Sequence, residues 1–145
     1  MRKFFGILLI FFTASAAAQT FKFADLKQKG AAQIPIDDLR KLAAGAAVTD
    51  QASTGSTRKW ENAADGTLSA TTNNAGGSSA TAGGRARSLQ GKGTWKVDDK
   101  GRYCVTIAWP TAEEKWCAFI FRVGDKTYRS NGGADANAWE IEFKR

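Results

Sequence analysis

The stretch "YCVTIAWPTAEEKWCAF", residues 103–119, holds both cysteines of the chain and two of its five tryptophans. Two apolar runs, Tyr103 to Trp109 and Trp116 to Val123, flank the segment Pro110 to Lys115, which reads as a turn. Pairing the runs symmetrically as a β-hairpin puts Cys104 opposite Cys117. Side chains directly opposed in an antiparallel pair have Cβ atoms about 4.5–5.5 Å apart, near the reach of a disulfide. Redox motifs place their cysteines two residues apart, whereas here twelve residues intervene, and the chain has no histidine to help complete a zinc site. The reading is a structural disulfide, with no metal site and no cofactor. Tyr103, Val105, Ile107 and Trp109 fall on one face, and Cys104, Thr106 and Ala108 on the other. On the second run Trp116, Ala118 and Ile120 alternate with Cys117, Phe119 and Phe121. Both faces read as apolar, which predicts a central hairpin covered on both sides.

The sequence around this hairpin has the same texture of short apolar runs punctuated by turns. "RKWENAADGTLSA" turns at Asp65-Gly66, "GTWKVDDKGRYCVTIAW" at Asp98 to Gly101, and "WCAFIFRVGDKTYRS" at Gly124-Asp125. "NAWEIEFKR" alternates Trp139, Ile141 and Phe143 with Glu140, Glu142 and Lys144. This spacing predicts a mainly β fold, an antiparallel meander of six to eight strands forming a small barrel or a curled sheet. Upstream, "IPIDDLRKLAAG" predicts one N-terminal helix over residues 35–44. Pro35 suits its first turn, Asp37 and Asp38 its positive end, and Gly45 its stop. A weaker helical turn is expected at Phe23 to Lys29.

The first 18 residues run from Arg2 and Lys3 through the apolar "FFGILLIFF" to Ala16 and Ala18, the order of a secretory signal peptide. The apolar run is too short for a membrane span, which needs about 20 residues. The expectation is cleavage near Ala18 and an exported single domain over residues 19–145, in the periplasm or secreted. Removing Arg2 and Lys3 from the 21 Lys and Arg leaves 19 against 14 acidic residues, a net charge of +5. No block of like charges stands out, so the charge reads as a solvated surface, and no nucleic-acid partner is expected.

Residues 71–88, "TTNNAGGSSATAGGRARS", contain no aromatic or large aliphatic side chain and read as a flexible Gly/Ser-rich loop. Arg85 and Arg87 within it are candidates for a partner-binding surface. "GRARSLQGKGT" imitates a phosphate loop, but Ala86 and Gly93 stand where that motif needs Gly and Ser or Thr. "STRK", Ser56 to Lys59, imitates the S-x-x-K of penicillin-recognising enzymes, yet it falls in a predicted strand without its companion motifs. Asp98-Asp99 and Glu113-Glu114 are adjacent in predicted turns and read as solvated. Glu61, Glu140 and Glu142 lie in strands, with no spacing that selects them as a catalytic pair. Without histidine the commonest general base is missing, and the chain does not read as an enzyme. Trp60, Trp95, Trp109, Trp116 and Trp139 each sit in or beside a predicted strand. They are expected to divide between the core and the mouth of a ligand site.

Leu39, Leu42 and Gly45, then Asp65-Gly66-Thr67, then Gly91-Lys92-Gly93-Thr94-Trp95, then Cys104 and Cys117 follow in an order that resembles a family of small exported bacterial proteins. That family is grouped only as a domain of unknown function and is similar to lipocalin-type meanders. The resemblance covers Leu39 to Phe143 and implies a β-meander with structural cysteines, without catalytic residues. The insert at residues 71–88 is longer than that pattern implies. Tyr128-Arg129-Ser130 before Trp139 resembles, more locally, the exported inhibitors of lysozyme, which are also small disulfide-linked barrels. The expectation for function is an exported module that binds an apolar small molecule or an envelope component at the meander. The alternative is a module for protein–protein contact or enzyme inhibition.

Overall fold

A computed structural model of the chain describes residues 19–52, 55–73 and 88–145. The expected signal peptide, Arg85, Arg87 and most of the expected loop lie outside the described residues. In chain order the elements are β1 (Phe21–Lys22), α1 (Phe23–Gln28), β2 (Ala32–Gln33), α2 (Ile36–Ala43), β3 (Ala47–Gln51), β4 (Thr57–Asn62) and β5 (Thr67–Thr72). They continue with β6 (Leu89–Val97), β7 (Tyr103–Ala108), β8 (Glu113–Val123), β9 (Lys126–Ser130) and β10 (Asn137–Lys144).

β3 to β10 pair in sequence order, each antiparallel to the next, and β10 returns to β3, so eight strands close into a barrel. Two long strands accomplish the closure. β8 pairs with β7 through Glu113 to Ala118 and with β9 through Phe119 to Val123. β10 likewise pairs with β9 through Ala138 to Glu140 and with β3 through Ile141 to Lys144. The two-residue strands β1 and β2 lie outside the ring, on β10 and β8. Closure is the expected alternative to a curled sheet, and it leaves the barrel no free edge.

The hairpin opposes Cys104 and Cys117, which form the disulfide with their Cα atoms 4.0 Å apart. Its turn is shorter than Pro110 to Lys115. In the register set by Cys104 and Cys117 the ladder runs on to Ala108 opposite Glu113, and the Trp109 amide donates to the Ala112 carbonyl at 2.8 Å, so β8 begins at Glu113. Nor is the hairpin covered on both sides. Tyr103, Val105 and Ile107 are buried inside the barrel, while Ala108 on the opposite face is exposed. The outward aromatics of β8, Phe119 and Phe121, come after the residues paired with β7, and α1 covers the second: the ring of Phe23 lies 4.5 Å from that of Phe121. The chain therefore has a second, shorter helix where the helical turn was read, held by the buried Phe23 and Leu26.

β5 continues through Thr72, and Thr71 and Thr72 pair with Gln90 and Leu89, so the first two residues of the expected loop are strand. Both are β-branched and complete the ladder.

Val48, Trp60, Leu68, Tyr103, Val105, Ile107, Ile120 and Ile141 fill the barrel, with Trp95, Trp109, Trp116 and Phe143 packed against them. Each large apolar side chain so buried contributes about 1.5–3 kcal/mol. A buried polar chain joins this core to α2. The Trp60 indole donates to the Tyr103 hydroxyl, which donates to Asn62 Oδ1, and Asn62 Nδ2 donates to the Ala43 carbonyl, each at 2.9 Å. Leu39 and Ala43 of α2 are fully buried in the same core, so the helix plugs one end. Burial pushes the Tyr103 pKa well up, and the phenol stays neutral as the bond donor this chain needs. β6 approaches β7 closely: a Cβ on Gly93 would sit 1.8 Å from the Thr106 carbonyl oxygen, so only glycine fits there. Gly91 and Gly93 of the phosphate-loop imitation thus serve strand packing.

Replacing both cysteines by serine should lower the unfolding free energy by about 3 kcal/mol, read from the urea midpoint. An unchanged midpoint would mean that the hairpin register alone holds β7 to β8.

Candidate functional site

A hollow of about 780 Å³ lies on the outside of the barrel, across β3 to β7. Its floor follows one rung of the sheet. Val48, Trp60, Ala70 and Gly91 are successive partners, and Trp109 continues that register on the loop after β7. Val48, Trp60 and Ala70 point inward, so the floor there is backbone and small apolar surface. Two rows of outward residues form the banks. Ala47, Glu61, Ser69, Lys92 and Ala108 are partners along one; Thr49, Lys59, Thr71 and Gln90 along the other, which ends at Pro110. Five strands at about 4.8 Å spacing make the groove about 19 Å long. Gly91, on the inward side of that rung, is required by the packing beneath the floor: a Cβ there would meet Ile107 Cγ2 at 2.7 Å and Trp109 Cε3 at 2.8 Å.

Inside the barrel the tryptophans surround charge. Arg129 of β9 donates from Nε to Asp50 Oδ1 of β3 at 2.5 Å and from Nη2 to Oδ2 at 3.2 Å. Arg58 of β4 bridges Asp50, at 3.7 Å, to Glu114 of β8, at 2.7 Å. The other donors to Glu114 are indoles, Trp109 Nε1 at 3.1 Å and Trp116 Nε1 at 2.9 Å. The Arg129 guanidinium lies over Trp116 and Trp139, 4.8 and 4.7 Å from their ring centres. Burial pushes the Asp50 carboxyl above its ordinary pKa, and the charge of Arg129, its hydrogen bond and the charge of Arg58 pull it back.

The five tryptophans are therefore all committed to the barrel, in different ways. Trp60 is core. Trp95 donates to the Ala63 carbonyl at 2.8 Å and pins the β4–β5 turn. Trp109 and Trp116 hold Glu114, and Trp109 also lines the groove. Trp139 stacks on Arg129 and keeps a buried indole N–H without a hydrogen-bond partner among the described residues. Among the described residues, buried side chains of the core pack around Trp60, Trp95, Trp109 and Trp116.

Glu114, expected to be solvated beside Glu113, is instead an interior ion-pair partner, 15% exposed, because the short turn draws it into β8. Asp98 is bound to Arg102 at 2.7 Å. Glu61, Glu140 and Glu142 stand apart on outward positions, and Glu140 and Glu142 pair with Lys126 and Lys144. Ser56 is buried and Lys59 exposed, so the penicillin-enzyme imitation cannot bring the two together. Tyr128 and Ser130 are buried and Arg129 points into the barrel, so the segment resembling lysozyme inhibitors is no surface loop. Asp98, Cys104 and Cys117 gather within 4.8 Å, but oxidised sulfurs are not thiolate ligands. The sequence reading missed Asp50, Arg58 and Arg129. Their signal was present, since Asp50 alternates with Val48 and Ala52 on the core side of β3.

Asp50→Ala should cost about 3–5 kcal/mol in a urea melt, because it strands Arg129 in the core. Asp50→Leu combined with Arg129→Met should recover most of that loss. A double variant as unstable as the single would show that the pair does more than satisfy itself.

No helix among the described residues is long and apolar enough to cross a membrane. No curated protein and no solved structure matches the chain. A family model described as "Protein of unknown function (DUF995)" matches residues 8–134. That match spans most of the 145 residues, and the chain, itself a closed, disulfide-linked β-meander, belongs to this family of unknown function.

Proposed function

We propose that the protein is an exported, non-catalytic binding module that takes a small apolar molecule, or an apolar part of an envelope component, along the outer groove of β3 to β7. The observation that carries this reading is the contrast between the two faces of one rung. Inside, Trp60 and its neighbours fill the barrel. Outside, the backbone of the same residues floors a hollow of about 780 Å³, within the range of about 300–1,000 Å³ typical of small-molecule sites. Ala47, Ala108 and Pro110 give apolar contact, and the hydroxyls of Thr49, Ser69 and Thr71 supply polar contacts that orient a ligand. The disulfide and the leader-like residues 1–18 support an exported setting. The acidic side chains support binding rather than catalysis, since among the described residues Glu61 is the one acid lining the groove.

N-phenylnaphthylamine, an uncharged apolar dye that fluoresces when shielded from water, tests the reading. It should bind the protein, and Ser69→Gln with Thr71→Gln, which fills the groove with neutral side chains, should weaken binding at least about tenfold, or 1.4 kcal/mol. Thr94→Gln, on the same outer face beyond the groove, should leave it unchanged. Absence of dye binding to the native protein would turn the assignment toward a protein–protein contact module.

A further inference from the structure

We infer, building on the groove reading above, that the ligand is an amphiphile with a single anionic group, a carboxylate, sulfonate or phosphate diester, held between Lys59 and Lys92. The two lysines stand on opposite banks, on β4 and β6, with β5 between them, so their strands are about 10 Å apart. Each has a hydroxyl as its partner on β5: Lys59 is opposite Thr71, and Lys92 opposite Ser69. These two ammonium–hydroxyl pairs flank Ala70, so an anion over the Ala70 backbone meets a flexible cation and a neutral hydrogen-bond donor from either side. Lysine suits such a task, since its ammonium is a point charge on a long stem that adapts to the anion.

The surrounding charge is consistent with this occupant. Arg40, Arg102, Lys126 and Lys144 each have a carboxylate within 4 Å, whereas neither Lys59 nor Lys92 has an ion-pair partner among the described residues. Beyond the groove the same outer face continues with the exposed Lys96 on β6 and Lys115 on β8, and with the exposed Glu113 opposite Ala108. The one acid on the banks is Glu61, opposite Ser69 and two residues from Lys59. It limits the favoured ligand to one negative charge, because a second would be placed against the Glu61 carboxylate. The apolar remainder lies toward Ala108 and Pro110, away from Glu61.

Anilinonaphthalene sulfonate, which adds a sulfonate to the skeleton of N-phenylnaphthylamine, isolates the charge. The native protein should bind the anionic dye about tenfold more tightly than the neutral one, a difference that shrinks as salt screens the exposed site. Lys59→Gln with Lys92→Gln should abolish this preference, read as the ratio of the two dye affinities measured on the same variant. Equal affinity of the native protein for the two dyes would overturn the anionic assignment and leave the groove standing. A preference that survives in the double variant would also overturn it, since the charge would then be read elsewhere. Failure of both dyes to bind would remove the groove reading, and this inference with it.

Discussion

Asp50 is the fully buried carboxylate around which the barrel interior is arranged. An ionised carboxylate in an apolar core is costly unless charge and hydrogen bonds surround it. Here Arg129 meets it from β9 with two nitrogens and Arg58 approaches from β4, and Arg58 in turn holds Glu114 of β8. The network thus links four strands across the interior, and β10 lies between two of them in the ring. Stacking of Arg129 on Trp116 and Trp139 removes the remaining guanidinium surface from water, and two indoles occupy Glu114. Closure of the meander and satisfaction of these charges are one problem, because the partners meet only when β10 pairs with β3.

That arrangement decides where a ligand can go. A barrel of eight strands has an interior just wide enough to be filled by side chains or to hold one small ligand. In this chain Trp60, Tyr103 and the ion network take the space, and α2 plugs one end through Asn62 and Ala43. The outer surface of the same rung is where the sequence is economical with side chains. Ala47, Ser69, Thr71 and Ala108 are small, and a groove results.

The sequence made the fold legible because its signals were local and mutually consistent. The hairpin register, the Asp65-Gly66, Asp98 to Gly101 and Gly124 turns and the helix ending at Gly45 each rest on short-range stereochemistry, and the glycines at all four places have the positive φ such turns require. Closure was the physically sensible option but depends on β8 and β10 each serving two partners, a long-range property no local pattern carries. The site was less legible. Apolarity on both faces of the hairpin suggested two coverings, whereas Thr106 and Ala108 simply face outward and Phe121 awaits α1. The tryptophans were expected to divide between the core and a ligand mouth; their partners, Tyr103, Ala63, Glu114 and Arg129, tie them to the barrel, and Trp109 also lines the groove. Lys59 and Lys92 were invisible as a pair, since they lie on different strands and meet only through the register of β5.

The central claim is that the inside of the barrel is full and the outside of β3 to β7 receives the ligand. Amide and indole chemical-shift mapping with N-phenylnaphthylamine tests it most directly. The account predicts shifts concentrated at Thr49, Lys59, Ser69, Thr71 and Gln90, with the Trp60 and Trp116 indole signals unmoved. Shifts centred on those two indoles and on Tyr103 would place the ligand inside the barrel and contradict it.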